Sequence, residues 1–441
     1  MKKVLLMFAL TVVVCSVMAQ EVLSLGQCIR IGLDNNLSLK STQNDVEKGQ
    51  LNISENRARL LPQINAVAGF NDNFNPPVSV TDGRAYGKAY NVTKTLQYNA
   101  SAGLQLQMPL YSQTALTAVE IAKTLSCLNQ LSYEKAREDV MMQISKMYYL
   151  AQNTTEQIGL IKENIRRFEE LREITHAFHD NGMALEVDLK RINVRLENMD
   201  VQLANAQAML SEQYNMLKFV MDYPADKQFV VEQKAVEDFK PAVMSGLNTE
   251  LYELQLMRTQ ETLADQQVKL AKDGYLPTVA LTGNWNFTAY TDKFSNWFHS
   301  GESNHWYNSN GLGISLRVPI FDGFEKRSKI RKAKIDAENA RIAYTNTLKN
   351  MQTQYANAVN DQMNNGRNFE KQTVNYRLAE DIYKVTTDRY REGIVSMVEV
   401  LQDEMSMSDA QNNYLTAHYN YQVSNLTLLK LTGNLETLMN E

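Results

Sequence analysis

The chain is poor in the residues that staple, break and coordinate. Its 441 residues hold three cysteines, five histidines and eight prolines. No CxxC or HExxH spacing occurs, which excludes a disulfide scaffold and the usual zinc arrangements. There is no GxSxG elbow, P-loop or GxGxxG fingerprint, so the common hydrolase, nucleotide and dinucleotide readings fall away and no catalytic residue or cofactor is expected. Neither sign of charge dominates, with 45 Lys and Arg against 50 Asp and Glu. Nucleic acid is therefore not an expected partner. Long apolar runs are missing as well. Mean hydropathy is −0.39, and one stretch alone approaches bilayer length, at the N-terminus.

That stretch reads as an export signal over residues 1–19. Lys2 and Lys3 precede an apolar run at 4–15, and Val17-Met18-Ala19 ends in a small residue, leaving Gln20 as the expected mature N-terminus. Cys15 follows Val14 rather than the small residue of a lipoprotein site, so lipidation is not expected. Cys28 and Cys127 lie far apart in helical contexts and are expected to be buried small apolar residues. His176 and His179 share a helical face ahead of Asp180. At a helix C-terminus histidine suits the dipole, and no metal site is expected there.

The scarce prolines fall in two clusters. They are Pro62, Pro76, Pro77, Pro109, Pro224, Pro241, Pro277 and Pro319, so residues 110–223 and 320–441 contain none. Proline breaks helices, and these windows can hold very long ones. In the first, Leu185, Leu189, Ile192, Leu196, Met199, Leu203, Ala206, Leu210, Gln213, Leu217 and Val220 recur in steps of four and three. That is a heptad seam. A second, more polar seam is expected through Val398, Leu401, Met405, Ser408, Asn412, Leu415, Tyr419, Gln422, Leu426 and Leu429.

Between the windows the period changes to two. Leu312, Ile314, Leu316 and Val318 alternate with small or polar residues, as do Val279, Leu281, Gly283, Trp285 and Phe287, and Leu104, Leu106 and Met108. Ile64, Ala66, Ala68 and Phe70 alternate less cleanly. Four strands are expected, at about 62–74, 99–109, 277–290 and 311–320, each the length of a tilted membrane-spanning strand. Half-buried strands of other proteins share the pattern. All three Trp (Trp285, Trp297, Trp306) lie in or beside the second pair, with Phe287, Tyr290, Phe294, Phe298, Tyr307 and Phe321. Such aromatics girdle strands at a membrane interface.

The chain is duplicated. Leu61-Pro62 recurs as Leu276-Pro277, Met108-Pro109-Leu110 as Val318-Pro319-Ile320, Asn181-Gly182 as Glu392-Gly393, and Leu217-Lys218 as Leu429-Lys430, in one order and at nearly constant offset. The repeats are 20–222 and 247–441, joined by a linker at 223–246. Each reads helix, strand, loop, strand, very long helix, glycine turn, returning helix. Helices over 112–179 and 323–392 would each run ~100 Å. The returning helix 183–221 spans about 58 Å and the helix 247–275 about 44 Å, so two short helices end to end match one long one. The helices 25–60 and 394 onward would pair likewise.

In this order the chain resembles the TolC-type outer-membrane efflux and secretion channels. The resemblance rests on Leu25-Gly26-Gln27-Cys28 leading to Asn35-Asn36-Leu37, on both Leu-Pro pairs, on Val318-Pro319-Ile320-Phe321-Asp322-Gly323, and on Arg389-Tyr390-Arg391-Glu392-Gly393 running into Val398-Glu399-Val400-Leu401. It covers essentially the whole mature chain. It implies a mainly α protein with a small β part, a homotrimer in the outer membrane of a Gram-negative bacterium with most of its mass in the periplasm. Each chain would give four strands to a shared twelve-stranded barrel and its helices to a tunnel. A periplasmic adaptor and an inner-membrane transporter are the implied partners, with outer-membrane lipid around the barrel. The physics agrees, since four strands cannot close a barrel and open edges are not tolerated in lipid.

The resemblance also places a gate. The family's closed tip is held by a Tyr before one turn and an Asp after the other, which fall on Tyr390 and Asp188. Two acidic ring positions fall on Glu399 and on Gln402, the second a departure, with Asp403 beside it on another helical face. A basic latch position falls on Val395, also a departure. Three symmetry-related Glu399 carboxylates would favour cations. The turns Asn181-Gly182-Met183 and Glu392-Gly393-Ile394 match the family's adaptor-contact tips. Two function classes stay open, a passive exit duct for drugs, small molecules or secreted protein, and a non-channel periplasmic helical structural protein. The aromatic strands and the duplication favour the duct. Cargo is not legible, because a partner pump selects it.

Overall fold

A computed structural model describes residues 21–233, 246–298 and 306–440. The expected signal peptide, with Cys15, and the part of the expected linker at 234–245 lie outside the described residues. The helices are α1 (Leu25–Asn35), α2 (Leu37–Ala58), α3 (Gln113–Asp180), α4 (Glu186–Met221), α5 (Tyr252–Asp273), α6 (Glu325–Arg391) and α7 (Met397–Thr432). The strands are β1 (Glu21–Leu23), β2 (Gln63–Asp72), β3 (Val78–Asp82), β4 (Tyr90–Lys94), β5 (Tyr98–Tyr111), β6 (Phe229–Val231), β7 (Thr278–Thr291) and β8 (Trp306–Arg317). The proline-free windows hold the two longest helices, α3 with 68 residues and α6 with 67. No helix among the described residues is long and apolar enough to cross a membrane.

The chain divides into two compact units, one of Asp45–Asn129 and Met257–Ala343, the other of Met1–Asn44, Gln130–Leu256 and Tyr344–Glu441. The first holds the sheet. Its four strands run β2-β5-β7-β8, antiparallel throughout, with β2 and β8 at the edges. The register aligns the alternation of every strand. Leu106 stands opposite Ile64 and Gly283, and Leu281 stands opposite Met108 and Ile314. One face is therefore apolar across all four strands, because side chains alternate with period two. The other carries Gln105, Gln107, Asn284, Asn286 and Ser315. The apolar face is uncovered in the chain, with Leu312 76%, Ile314 71% and Leu316 65% exposed.

Aromatics mark both ends of this sheet. Phe70, Tyr98, Phe294 and Trp297 cluster at one end, ring centroids about 6 Å apart. Phe321 and Phe324 meet edge-on at the end where α6 begins, at 5.6 Å. Between β2 and β5 the chain makes a separate two-stranded hairpin, β3–β4. In the same unit α5 packs on α6 through Ala264, Val268 and Ala337.

In the second unit, β1 pairs in parallel with β6. Leu23, Cys28, Ile29, Ile144, Leu217 and Met221 form one buried cluster there. Burial pushes the Cys28 thiol up to about 12.

Four expectations need correction. The single helix expected over 25–60 breaks at Asn36, whose side chain accepts from Leu39 N (3.0 Å) and donates to Val220 O (2.7 Å). The fourth strand begins at Trp306 and ends at Arg317, so Val318 lies beyond it. Cys127 is exposed rather than buried, because it lies on an open face of α3. The second seam is displaced. A buried line of α7 runs through Met397, Val400, Glu404, Met407, Gln411, Tyr414, His418 and Tyr421, one residue earlier than expected, while Val398 and Met405 are 55% and 54% exposed; Leu415 and Leu426 of the expected seam are buried as well. The α4 seam keeps its phase, with Ile192, Leu196, Met199, Ala206, Gln213, Leu217 and Val220 buried and Leu189, Leu203 and Leu210 partly buried, but its expected first member, Leu185, is the exposed N-cap.

Candidate functional site

Two glycine turns in the helical unit carry the expected gate and docking residues. At the end of α3, Gly182 N donates to His179 O (2.9 Å) and Met183 N to Phe178 O (2.8 Å). At the end of α6, Gly393 N donates to Tyr390 O and Ile394 N to Arg389 O, both at 2.9 Å. Both are Schellman stops, which need a left-handed residue, and both glycines have φ 73. A Cβ at either position would meet nothing within 4 Å. The demand for glycine is thus conformational. Asn181 closes the last turn of α3 through Nδ2 to Ala177 O at 2.7 Å. Glu392, Met183 and Ile394 are exposed at the turns.

The following helices start differently. Ser396 caps α7 with a full capping box, its Oγ accepting from Glu399 N while Glu399 returns to the Ser396 backbone. At the start of α4 the N-cap position is Leu185, which supplies no side-chain bond.

Behind the turns sits a buried cluster that includes Phe168, Leu171, Ile192, Tyr383, Tyr390 and Met397. Tyr390 is buried, its ring 5.7 Å from that of Phe178. Its hydroxyl lies 3.1 Å from Thr175 Oγ1. Thr175 spends its own proton on Leu171 O (2.9 Å), so Tyr390 is the donor. Asp188 instead accepts from Arg191 at 3.0 Å. The expected Tyr390–Asp188 bond is therefore not the arrangement in this structure. Burial pushes the Tyr390 phenol above its ordinary range, the Thr175 bond opposes this, and the Asp188 carboxylate adds a smaller push upward.

Glu399 is exposed, and its carboxylate accepts from Ser396 Oγ at 3.1 Å. The expected ring residue is thus also a capping residue. Gln402 is exposed beside it. Asp403 accepts from Thr386 Oγ1 at 2.6 Å, tying α7 to α6. Val395, at the position of the missing basic latch, packs against the buried cluster. His176 Nδ1 lies 3.1 Å from Asp180 Oδ2.

Sequence reasoning missed the strongest polar contact of this region. Arg195 of α4 grips Glu404 of α7 through Nε (2.7 Å) and Nη2 (2.6 Å), and Glu404 is fully buried. Arg167 Nη2 reaches Glu380 at 2.8 Å, joining α3 to α6. Setting the α7 seam on Met397, Val400 and Met407 would have placed Glu404 inside.

Known proteins share this fold. A family profile described as Outer membrane efflux protein matches residues 29–221 and again 251–434, one match per repeat. The Outer membrane protein TolC of Vibrio cholerae is 21% identical over 393 residues, covering 87% of this chain and 84% of its own. The Escherichia coli protein of the same name is 21% identical over 419 residues, 91% of this chain and 80% of its own. The crystal structure of the Campylobacter jejuni CmeC outer membrane channel superposes with a TM-score of 0.73 at 20% identity, over 93% of this chain and 85% of that one. Two profile matches in tandem, four aligned strands and paired glycine turns on long helices make this chain a member of the outer membrane efflux protein family.

Proposed function

We propose that this chain is one of three identical subunits of an outer-membrane exit duct, passive in itself and driven by an inner-membrane transporter through a periplasmic adaptor. The observation that carries this reading is the four-stranded sheet, apolar on one face and open at both edges. Unpaired backbone is too costly in lipid, so spanning strands must close into a barrel with those of other copies. Heptad-spaced Val187, Val194 and Val201 lie exposed on α4, a second apolar stripe suited to neighbouring helices. A structural role outside the membrane would leave the apolar sheet face in water. Native mass spectrometry in detergent should give a trimer. A water-soluble monomer without detergent would overturn the reading.

The glycine turns, with Asn181, Gly182, Met183, Glu392, Gly393 and Ile394, are the surface offered to the adaptor. The gate lies just behind them. Tyr390 bonds Thr175 in this structure, with Asp188 held by Arg191, and an exchange of Thr175 for Asp188 would distinguish two states of the tip. A bond to the carboxylate contributes about 1.5–3 kcal/mol, and three copies approach the ~5.5 kcal/mol that takes a 1:99 population to 99:1. Tyr390→Phe with Asp188→Ala should raise single-channel conductance in planar bilayers. Unchanged conductance removes this latch. Glu399, with Gln402 beside it, forms the constriction ring. Glu399→Gln should lower cation selectivity, and unchanged selectivity removes the ring.

A further inference from the structure

The start of α6 is unusually basic. Lys326, Arg327, Lys329, Arg331, Lys332 and Lys334 fall within nine residues. Two of them are answered locally, Lys326 by Asp322 at 3.2 Å and Lys329 by Glu325 one turn back. Arg327, Arg331, Lys332 and Lys334 are exposed, and no ion pair joins them to a described residue. Ala333 and Ala337 take the face that packs on α5. Arg327, Arg331 and Lys334, spaced by four and three, make one stripe beside that face, and Lys332 stands on its other flank.

This is a poor place for uncompensated cations. Arg327 lies in the first turn of α6, where partial positive charge favours acids, and the other three follow within the next two turns. The other repeat meets the same turn differently. Residues 113–122 of α3 contain no Lys or Arg, and Thr117 there is buried, donating to Asp273 Oδ2 at 2.5 Å. The basic start of α6 is therefore not required by the fold. Its four exposed cations are open to an anion from outside the chain.

The position says which kind. The chain leaves β8 through exposed Val318, Ile320 and Phe321, then Phe324, so the apolar band of the sheet runs directly into the cations. An apolar-aromatic border followed by a basic cluster fits a bilayer surface with its phosphates. Guanidinium forks match phosphate oxygens in pairs.

We propose that Arg327, Arg331, Lys332 and Lys334 form a binding collar for anionic phospholipid headgroups at the helix-side surface of the membrane, with Phe321 and Phe324 seated among the acyl chains. The collar rests on the reading of the sheet as membrane-spanning. It retains phosphatidylglycerol-type lipids around the barrel and fixes the depth at which the sheet sits.

The test uses the full chain in detergent, with lipid retention read by native mass spectrometry for phosphatidylglycerol, cardiolipin and phosphatidylcholine. Wild type should retain the two anionic lipids at least tenfold better than phosphatidylcholine at low salt, and high salt should erase the preference. Neutralising Arg327, Arg331, Lys332 and Lys334 to Gln should abolish the preference, at about fivefold per cation. Arg327→Lys with Arg331→Lys should keep most of it. No preference in wild type, or a preference that survives 1 M salt, overturns the proposal, and neither outcome depends on the variants folding. Displacement of the lipid by millimolar glycerol phosphate or inorganic phosphate would reassign the collar to soluble phosphates and overturn the lipid proposal. A shift of ion selectivity in the Gln variant with lipid retention unchanged would place the cations in the lumen, again overturning it. Conductance of the same preparations separates these failures from failure of the channel reading, because a conducting trimer without lipid preference sinks only the collar.

Discussion

Helices α4 and α7 have the same length, 36 residues, and each ends in a left-handed cap, at Asp222 and Gly433. What they bury differs. The α4 stripe is apolar apart from Gln213. The α7 stripe alternates apolar residues with Glu404, Gln411, His418 and Ser424. Each of the first three has a particular neighbour. Glu404 takes Arg195. Gln411 Oε1 accepts from Asn164 Nδ2 at 2.8 Å. His418 stacks on Phe369 at 5.1 Å. An apolar ridge gains similar burial in neighbouring registers, whereas the Glu404–Arg195 and Gln411–Asn164 bonds form in one. The duplication has thus kept the left-handed stop of these helices while giving one copy the task of fixing register.

The largest expected effect comes from breaking the α7 side of this contrast. Glu404→Ala strands Arg195 and should cost about 3–5 kcal/mol, read as a lower urea midpoint of the solubilised protein. Replacing both residues by Met should return most of it. A double variant as weak as the single one would show that the pair is not a closed unit.

The same carboxyl sets a pH dependence. Burial pushes Glu404 above its ordinary range, and Arg195 offsets this only in part. The folded state then holds the proton more tightly than the unfolded chain. Its contribution to stability is full below the unfolded pKa and declines as pH rises through the folded value. Glu404→Gln should flatten that decline, and an unaltered pH profile would contradict the assignment.

Opposite signs are expected for two glutamines. Gln213 on α4 is buried with Oε1 unpartnered among the described residues. Gln213→Leu should therefore stabilise by about 1–2 kcal/mol, the cost of an unsatisfied buried group. Gln411→Leu removes the acceptor of Asn164 and should destabilise by a similar ~1–2 kcal/mol. Equal signs would erase the distinction between the two stripes.

Smaller effects test the shared turns. Gly182→Ala and Gly393→Ala should each cost about 1–2 kcal/mol through left-handed backbone alone, and equally, since φ is 73 at both. Ser396→Ala should cost ~1 kcal/mol by removing a cap, while Leu185→Ser should add a few tenths to ~1 kcal/mol by supplying one. If Ser396→Ala were silent, the asymmetry between the two helix starts would be cosmetic.

The contrast also explains what could be read from the sequence. Apolar residues mark the α4 seam, so its phase was legible. On α7 the buried phase contains charged and amide groups, while exposed Val398 and Met405 imitate a seam one residue later. Hydropathy alone chooses wrongly there. Strands β5 and β7 were legible by alternation. The start of β8 was not, because Trp306 to Asn310 does not alternate and is held by its ladder with β7. The β1–β6 pair is three residues long and joins distant segments, which leaves no local signal. In the gate, the family resemblance located Tyr390, through its offset from Gly393. Its partner Thr175 was hidden because a helical threonine commonly bonds its own backbone, and this one does that as well.

The open edges of the sheet reach into genetics. β2 and β8 are both edge strands in a single chain, so a barrel made from several copies closes only if every copy contributes a sound edge. A cell carrying one normal allele and one with a defective β8 would lose far more than half of its channels. For the proposed trimer, with equal expression and free mixing, roughly one assembly in eight would contain normal subunits alone. Such an allele would behave as dominant, whereas an allele that prevents synthesis altogether would be recessive.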